Sequence, residues 1–240
     1  MKLKGLLVGS CAIFFIFLIY LTTLDKKVYY VALGDFLAKG IGDNQYSEEI
    51  QQNLEKKGKL EKYVEEFMRD DMRTTDYIKM IEENETRQVE GKTQTLKNAL
   101  IKADLLTLSI GNNDLLYGLG MYNSEDIYTK KELEEKVDGV MSDLERLFQL
   151  LREYCKEDII ITGFYQPQNL SEQKRKLYLN ANRRLERLAK KYKITYVEVD
   201  KILDKEGNLD ASSMLPTKRG YLELSQKMKD VALNLLLEEK

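Results

Sequence analysis

"VYYVALGDFLAKGIG", residues 28–42, decides how the rest of the chain is read. Its first six residues are β-branched, aromatic or aliphatic and carry no charge, the signature of a buried strand. Gly34 then ends the run, and Gly40 and Gly42 punctuate the turn that follows. In open α/β sheets, ligands gather just beyond the carboxyl ends of the strands, where this turn falls. Its central residue is Phe36, which can neither attack an electrophile nor carry a proton.

The same alternation continues outward. Residues 103–110 ("ADLLTLSI"), 158–164 ("DIIITGF") and 194–199 ("ITYVEV") read as further strands. Helices are predicted over 48–57, 74–83 (opened by Thr74 as a candidate cap), 131–154, 171–192 and 221–239; residues 60–72 fit a helix or an alternating strand equally well. In 131–154, Leu133, Val137, Met141, Leu144, Phe148 and Leu151 form one apolar stripe. Continuously apolar strands alternating with amphipathic helices imply a three-layer α/β/α fold: a flavodoxin-like parallel sheet of about five strands, with right-handed crossovers. Residues 116–132 form an insertion on this pattern, expected to be a surface excursion or lid.

The chain has 240 residues, 38 basic and 40 acidic, so it offers no cationic footprint for nucleic acid. It contains no histidine, which removes the commonest general base and metal ligand. Cys11 and Cys155 are the only thiols and build neither a disulfide framework nor a metal site. No cofactor and no metal are expected.

The segments after the strands resemble the SGNH (GDSL) hydrolase family, in particular its lysophospholipase-like bacterial esterases. The resemblance rests on "VALGDFLAKGIGD", "LTLSIGNNDLL" and "LPTKRGYLELSQKM" and extends over residues 28–237. It implies an esterase fold whose nucleophilic serine would stand at Phe36, in the frame Gly34-Asp35-Phe36-Leu37. Pro216, Gly220 and Tyr221 keep the frame of the last block, which puts Leu215 at the family's histidine position and Ser212 at its aspartate position. The second block, around residues 69–78, lacks the family's oxyanion-hole glycine, with Asp71 or Met72 in its place. The block Gly111-Asn112-Asn113-Asp114 is intact, and in the family the amide corresponding to Asn113 donates to the oxyanion. The resemblance therefore implies a scaffold without its triad: a pseudoenzyme that binds a ligand or partner through Gly34, Asp35, Gly111, Asn112, Asn113 and Asp114. An active esterase or acyl-transferring enzyme using other residues is the alternative.

Other arrangements are weaker by their chemistry. Ser109 lies in strand register and has no imidazole partner. Ser212 and Ser213 near Lys218 imitate a Ser-Lys dyad, but that lysine sits beside Arg219 in a polar loop. Asp35 and Asp114 could form a carboxylate pair, yet each has a structural reading, Asp35 as a helix cap. Phe36 and Leu215 are expected to fill the vacated centre with a small apolar cluster. The basic helix 171–192 is expected to be a solvated face, with anionic lipid or polymer as its candidate partner.

The N-terminus carries Lys2 and Lys4, then twenty uncharged residues from Gly5 to Leu24. That length spans a bilayer core. No A-x-A-like site follows it, and most of the run lies after Cys11, so a membrane anchor over residues 1–27 fits better than a cleaved or lipoprotein signal. The two lysines favour a cytoplasmic N-terminus. The expectation is a single-pass protein with residues 28–240 as an extracytoplasmic domain, and with a small molecule, lipid, glycan or membrane protein as its partner.

Overall fold

The computed structural model describes residues 27–40, 45–120, 128–167, 170–210 and 215–237. The expected anchor, the centre of the 116–132 insertion, and Ser212 with Ser213 lie outside the described residues. Among the described residues no helix is long and apolar enough to cross a membrane.

The strands are β1 (Val28–Gly34), β2 (Leu60–Val64), β3 (Thr86–Val89), β4 (Lys92–Thr95), β5 (Leu105–Ser109), β6 (Asp158–Thr162) and β7 (Thr195–Val197). The helices are α1 (Phe36–Lys39), α2 (Tyr46–Lys56), α3 (Thr74–Glu82), α4 (Leu96–Lys102), α5 (Asn112–Gly118), α6 (Lys130–Tyr154), α7 (Glu172–Lys191), α8 (Asp200–Leu203) and α9 (Lys218–Leu237). Five strands form one parallel sheet in the order β2-β1-β5-β6-β7. That order is the flavodoxin-like arrangement, and its topological switch lies between β1 and β5.

Strand periodicity builds the three layers. Tyr29, Val31 and Leu33 of β1 enter a core under α3, α4, α6 and α7, while Val28, Tyr30 and Ala32 enter a second core under α1, α2 and α9. β1 and β5 are buried along their whole length, which is why they read as unbroken apolar runs. The edge strand β2 is only half-buried, and this explains the ambiguity of residues 60–72: the segment is a short strand followed by a loop.

Two features depart from the expected pattern. β3 and β4 form a separate antiparallel hairpin, turning at Glu90 and Gly91 with φ of 50° and 75°. Positive φ at both turn positions suits the right-handed twist of a hairpin. Thr74 is also not the cap of α3. Arg73 takes that position, its N–H donating to the Asp76 carboxylate at 2.9 Å, and Thr74 is used elsewhere.

Candidate functional site

β1 and β5 pair from Tyr30–Leu105 to Gly34–Ser109, so the first and third sequence blocks leave the sheet side by side. Their proximity demands glycine at two points. A Cβ on Gly34 would lie 2.4 Å from the Ala38 Cβ and 2.8 Å from the Ser109 carbonyl oxygen. Gly111 has φ of 96°, and a Cβ there would meet the Phe164 ring at 2.7 Å. Tyr77 of α3 staples the end of β1. Its hydroxyl accepts the Gly34 N–H at 2.7 Å and faces the carbonyls of Gly34 and Phe67 at 3.0 and 3.1 Å.

Asp35 is fully buried and caps α1. Its Oδ1 accepts the Leu37 N–H at 3.0 Å and the Ser109 hydroxyl at 2.9 Å, while Oδ2 has no partner among the described residues. Burial, aided by the Asp114 charge, pushes the Asp35 carboxyl up to about 7 against the pull of those two bonds. Ser109 is thus a buried support for Asp35, with no access to a substrate.

Phe36 is partly buried, and the ring that meets it is Tyr165, edge-on with centroids 6.2 Å apart. Leu215 stands beside an antiparallel bridge between Leu209 and Pro216, and its carbonyl accepts the Asp210 N–H at 2.9 Å. The last block reaches the first through Tyr221, whose hydroxyl donates to the Phe36 carbonyl at 3.3 Å. Gly220, one residue before it, packs on the Asn208 backbone, where a Cβ would stand 2.2 Å from the Asn208 carbonyl oxygen.

Asn112 and Asn113 are buried in the first turn of α5. The side-chain amide of Asn112 has no hydrogen-bond partner among the described residues. The Asn113 amide donates to the Asp70 carbonyl at 2.8 Å and to the Met72 carbonyl at 2.9 Å. The Phe36 N–H donates to the same Asp70 carbonyl at 3.3 Å. Two donors at the carboxyl edge therefore converge on one backbone oxygen of the 65–73 loop. That loop is held at both ends by the buried side chains of Phe67 and Met72. The Met72 N–H, one candidate for the second-block donor, bonds back to the Arg69 carbonyl at 3.3 Å. Asp114 completes the connection, its Oδ2 accepting both the N–H and the hydroxyl of Thr74 at 3.0 Å. Burial raises its carboxyl above the ordinary carboxylate range.

The edge thus brings together Gly34, Asp35, Phe36, Gly111, Asn112, Asn113 and Asp114. Sequence reasoning missed Tyr77, Tyr165 and the Asp70 carbonyl. Two surface cavities of about 700 Å³ lie elsewhere, one between α6 and α7 and one beside β7. None of those seven residues lines either of them.

The profile of the family described as GDSL-like Lipase/Acylhydrolase matches residues 30–228, from β1 into α9. The chain belongs to that family. Among solved structures, a lipase from a goat rumen metagenome is 20% identical, with a TM-score of 0.68 over 86% of this chain and 98% of that one. A GDSL-family lipolytic protein from Veillonella parvula is 16% identical, with a TM-score of 0.57 over 84% and 96%. An acetylxylan esterase from Geobacillus stearothermophilus is 14% identical, with a TM-score of 0.62 over 90% and 97%. These likenesses establish the three-layer fold. The comparison with curated proteins returned no significant match.

Proposed function

We propose that this GDSL-family protein is a membrane-tethered, extracytoplasmic pseudoenzyme. It binds a ligand or partner at the carboxyl edge of its sheet and does not hydrolyse esters. The observation that carries this reading is the convergence of the Phe36 N–H and the Asn113 amide on the Asp70 carbonyl. Acyl transfer needs a nucleophile, a base and donors aimed at a developing oxyanion. A phenylalanine stands where the family resemblance places the nucleophile, and the chain has no imidazole. Donors already bonded to backbone oxygen are closed to a substrate oxyanion unless the loop moves. In a serine hydrolase, loss of the triad lowers turnover by about a million-fold. The tether is supported by the apolar run from Gly5 to Leu24.

The test is an assay of the purified full chain on p-nitrophenyl acetate, a monoacylglycerol and an acetylated xylooligosaccharide, substrates suggested by the lipases and acetylxylan esterases that share the fold. The expected result is no turnover above buffer and no labelling by a serine-directed phosphonate. Turnover that rises with purity and is abolished by the phosphonate would overturn the reading.

A further inference from the structure

We propose that the amino edge of the sheet, opposite the candidate site, lies against an anionic lipid bilayer and turns the site toward the aqueous phase. The inference rests on the tethered reading above and adds the orientation of the domain.

In a parallel sheet all strands start on one edge. Here the segments leading into the five strands are Lys27 and residues 55–59, 101–104, 153–158 and 189–194. Together they hold nine lysines against five carboxylates, Glu55, Asp104, Glu153, Glu157 and Asp158. Lys27, Lys57, Lys102, Lys156, Lys190 and Lys193 are exposed, and Asp104 is occupied in accepting the Tyr29 N–H at 2.9 Å. Ile101, 63% exposed, stands among these lysines. The opposite edge has the reverse sign. Its 65–73 and 198–210 loops carry nine carboxylates against Arg69, Arg73, Lys201 and Lys205. Helix C-termini favour lysine on their own account, and the partial negative charge of roughly half a unit at the ends of α2, α4, α6 and α7 offsets about two charges of this excess, leaving the balance positive.

The partner follows from position and charge. Leu24, the last residue of the apolar run, is four residues from Val28, at most about 14 Å of extended chain. A domain on so short a tether must present the edge where β1 begins, and that edge is the basic one. β1 is seven residues long, so the candidate site stands roughly 20 Å further out. That exceeds two Debye lengths of about 8 Å, so the acidic loops do not oppose the contact. A lipid held in the same bilayer therefore cannot reach Phe36 or Asn113. The ligand or partner of this site must come from the aqueous phase.

The test uses the full chain carrying Cys11→Ser and one reporter cysteine, Lys57→Cys or Lys193→Cys on the basic edge, or Asp71→Cys or Glu206→Cys on the acidic one. Each is labelled with a fluorophore and reconstituted in phosphatidylcholine vesicles with or without phosphatidylglycerol, and quenching by headgroup spin-labelled lipid is measured. The expected result is strong quenching on the basic edge, strengthened by phosphatidylglycerol, and little on the acidic edge. Lys102→Gln with Lys190→Gln should weaken it, since each basic residue near an anionic surface contributes about fivefold in partitioning. Equal quenching on both edges, or no response to phosphatidylglycerol, would overturn the proposal. So would a soluble polyanion that shields the basic-edge labels while lipid fails to quench them. Carbonate extraction separates the two readings. A chain that is extracted yet still quenched in a salt-sensitive way retains the surface and loses the tether; a chain that is extracted and unquenched loses both.

Discussion

Asp35 offers the sharpest test of the site's electrostatics, through the substitution Asp35→Asn. The folded protein holds the carboxyl proton up to about pH 7, while the unfolded chain releases it near 4. Between those values the folded state binds more protons, so stability falls as pH rises. From pH 5 to pH 8 the loss amounts to about 3 kcal/mol, because the folded pKa lies about two units above pH 5 and each unit is worth about 1.4 kcal/mol. Asparagine keeps an acceptor for the Leu37 N–H and the Ser109 hydroxyl, and it caps helices as well as aspartate. Any fixed offset from its amide is the same at both pH values. The chain has no tryptophan, so melting is followed by far-UV circular dichroism, with the full chain in a mild detergent. Relative to Asp35→Asn, the parent should lose roughly 6–12 °C in Tm between pH 5 and pH 8. Parallel curves for the two proteins would show that the Asp35 carboxyl titrates normally and would refute the argument.

Three further substitutions probe the same edge. Asn113→Ala leaves the Asp70 and Met72 carbonyls without their amide donor and should cost about 2–3 kcal/mol in denaturant unfolding; Asn113→Asp should cost more, since a carboxylate would face two carbonyl oxygens. Gly111→Ala forces a Cβ into the Phe164 ring at positive φ and should destabilise by about 2–4 kcal/mol in the same measurement. Tyr77→Phe removes the acceptor of the Gly34 N–H inside the core and should cost about 1–3 kcal/mol, with faster amide exchange at Gly34 than in the parent.

The sheet was legible because burial on both faces writes itself into β1, β5 and β6 as unbroken apolar runs. β2 and the hairpin were not, because half-buried strands mix charge with apolar residues. The hairpin turn also places a glutamate at φ 50°, a residue that gives no turn signal. At the site, Gly34, Gly111 and Gly220 were legible as parts of the three blocks, and the structure adds what the sequence did not say, a close backbone or ring approach at each. Tyr77 left no trace in the sequence beyond its place on an apolar helix face. The Asp70 carbonyl has no residue-specific signal of its own, since every residue carries one.

One sequence signal did bear on that carbonyl: the 65–73 loop has no glycine. The absence and the phenylalanine at position 36 follow from a single constraint. A buried donor left without a partner costs about 1–3 kcal/mol. The Asn113 amide and the Phe36 N–H point at the edge whether or not a substrate arrives. In an enzyme, solvent and substrate satisfy such donors in turn, which requires an open centre. Here Phe36 sets its ring edge-on to Tyr165, and both donors take an acceptor from the protein itself. The nearest is the loop backbone, which places its Asp70 carbonyl on both donors and ties its Met72 N–H back to Arg69. Restoring a serine at position 36 would therefore not restore the donors, because the loop would still occupy them. A variant combining Phe36→Ser with Ser212→Asp and Leu215→His should show no turnover of p-nitrophenyl acetate until the 65–73 loop is also rebuilt.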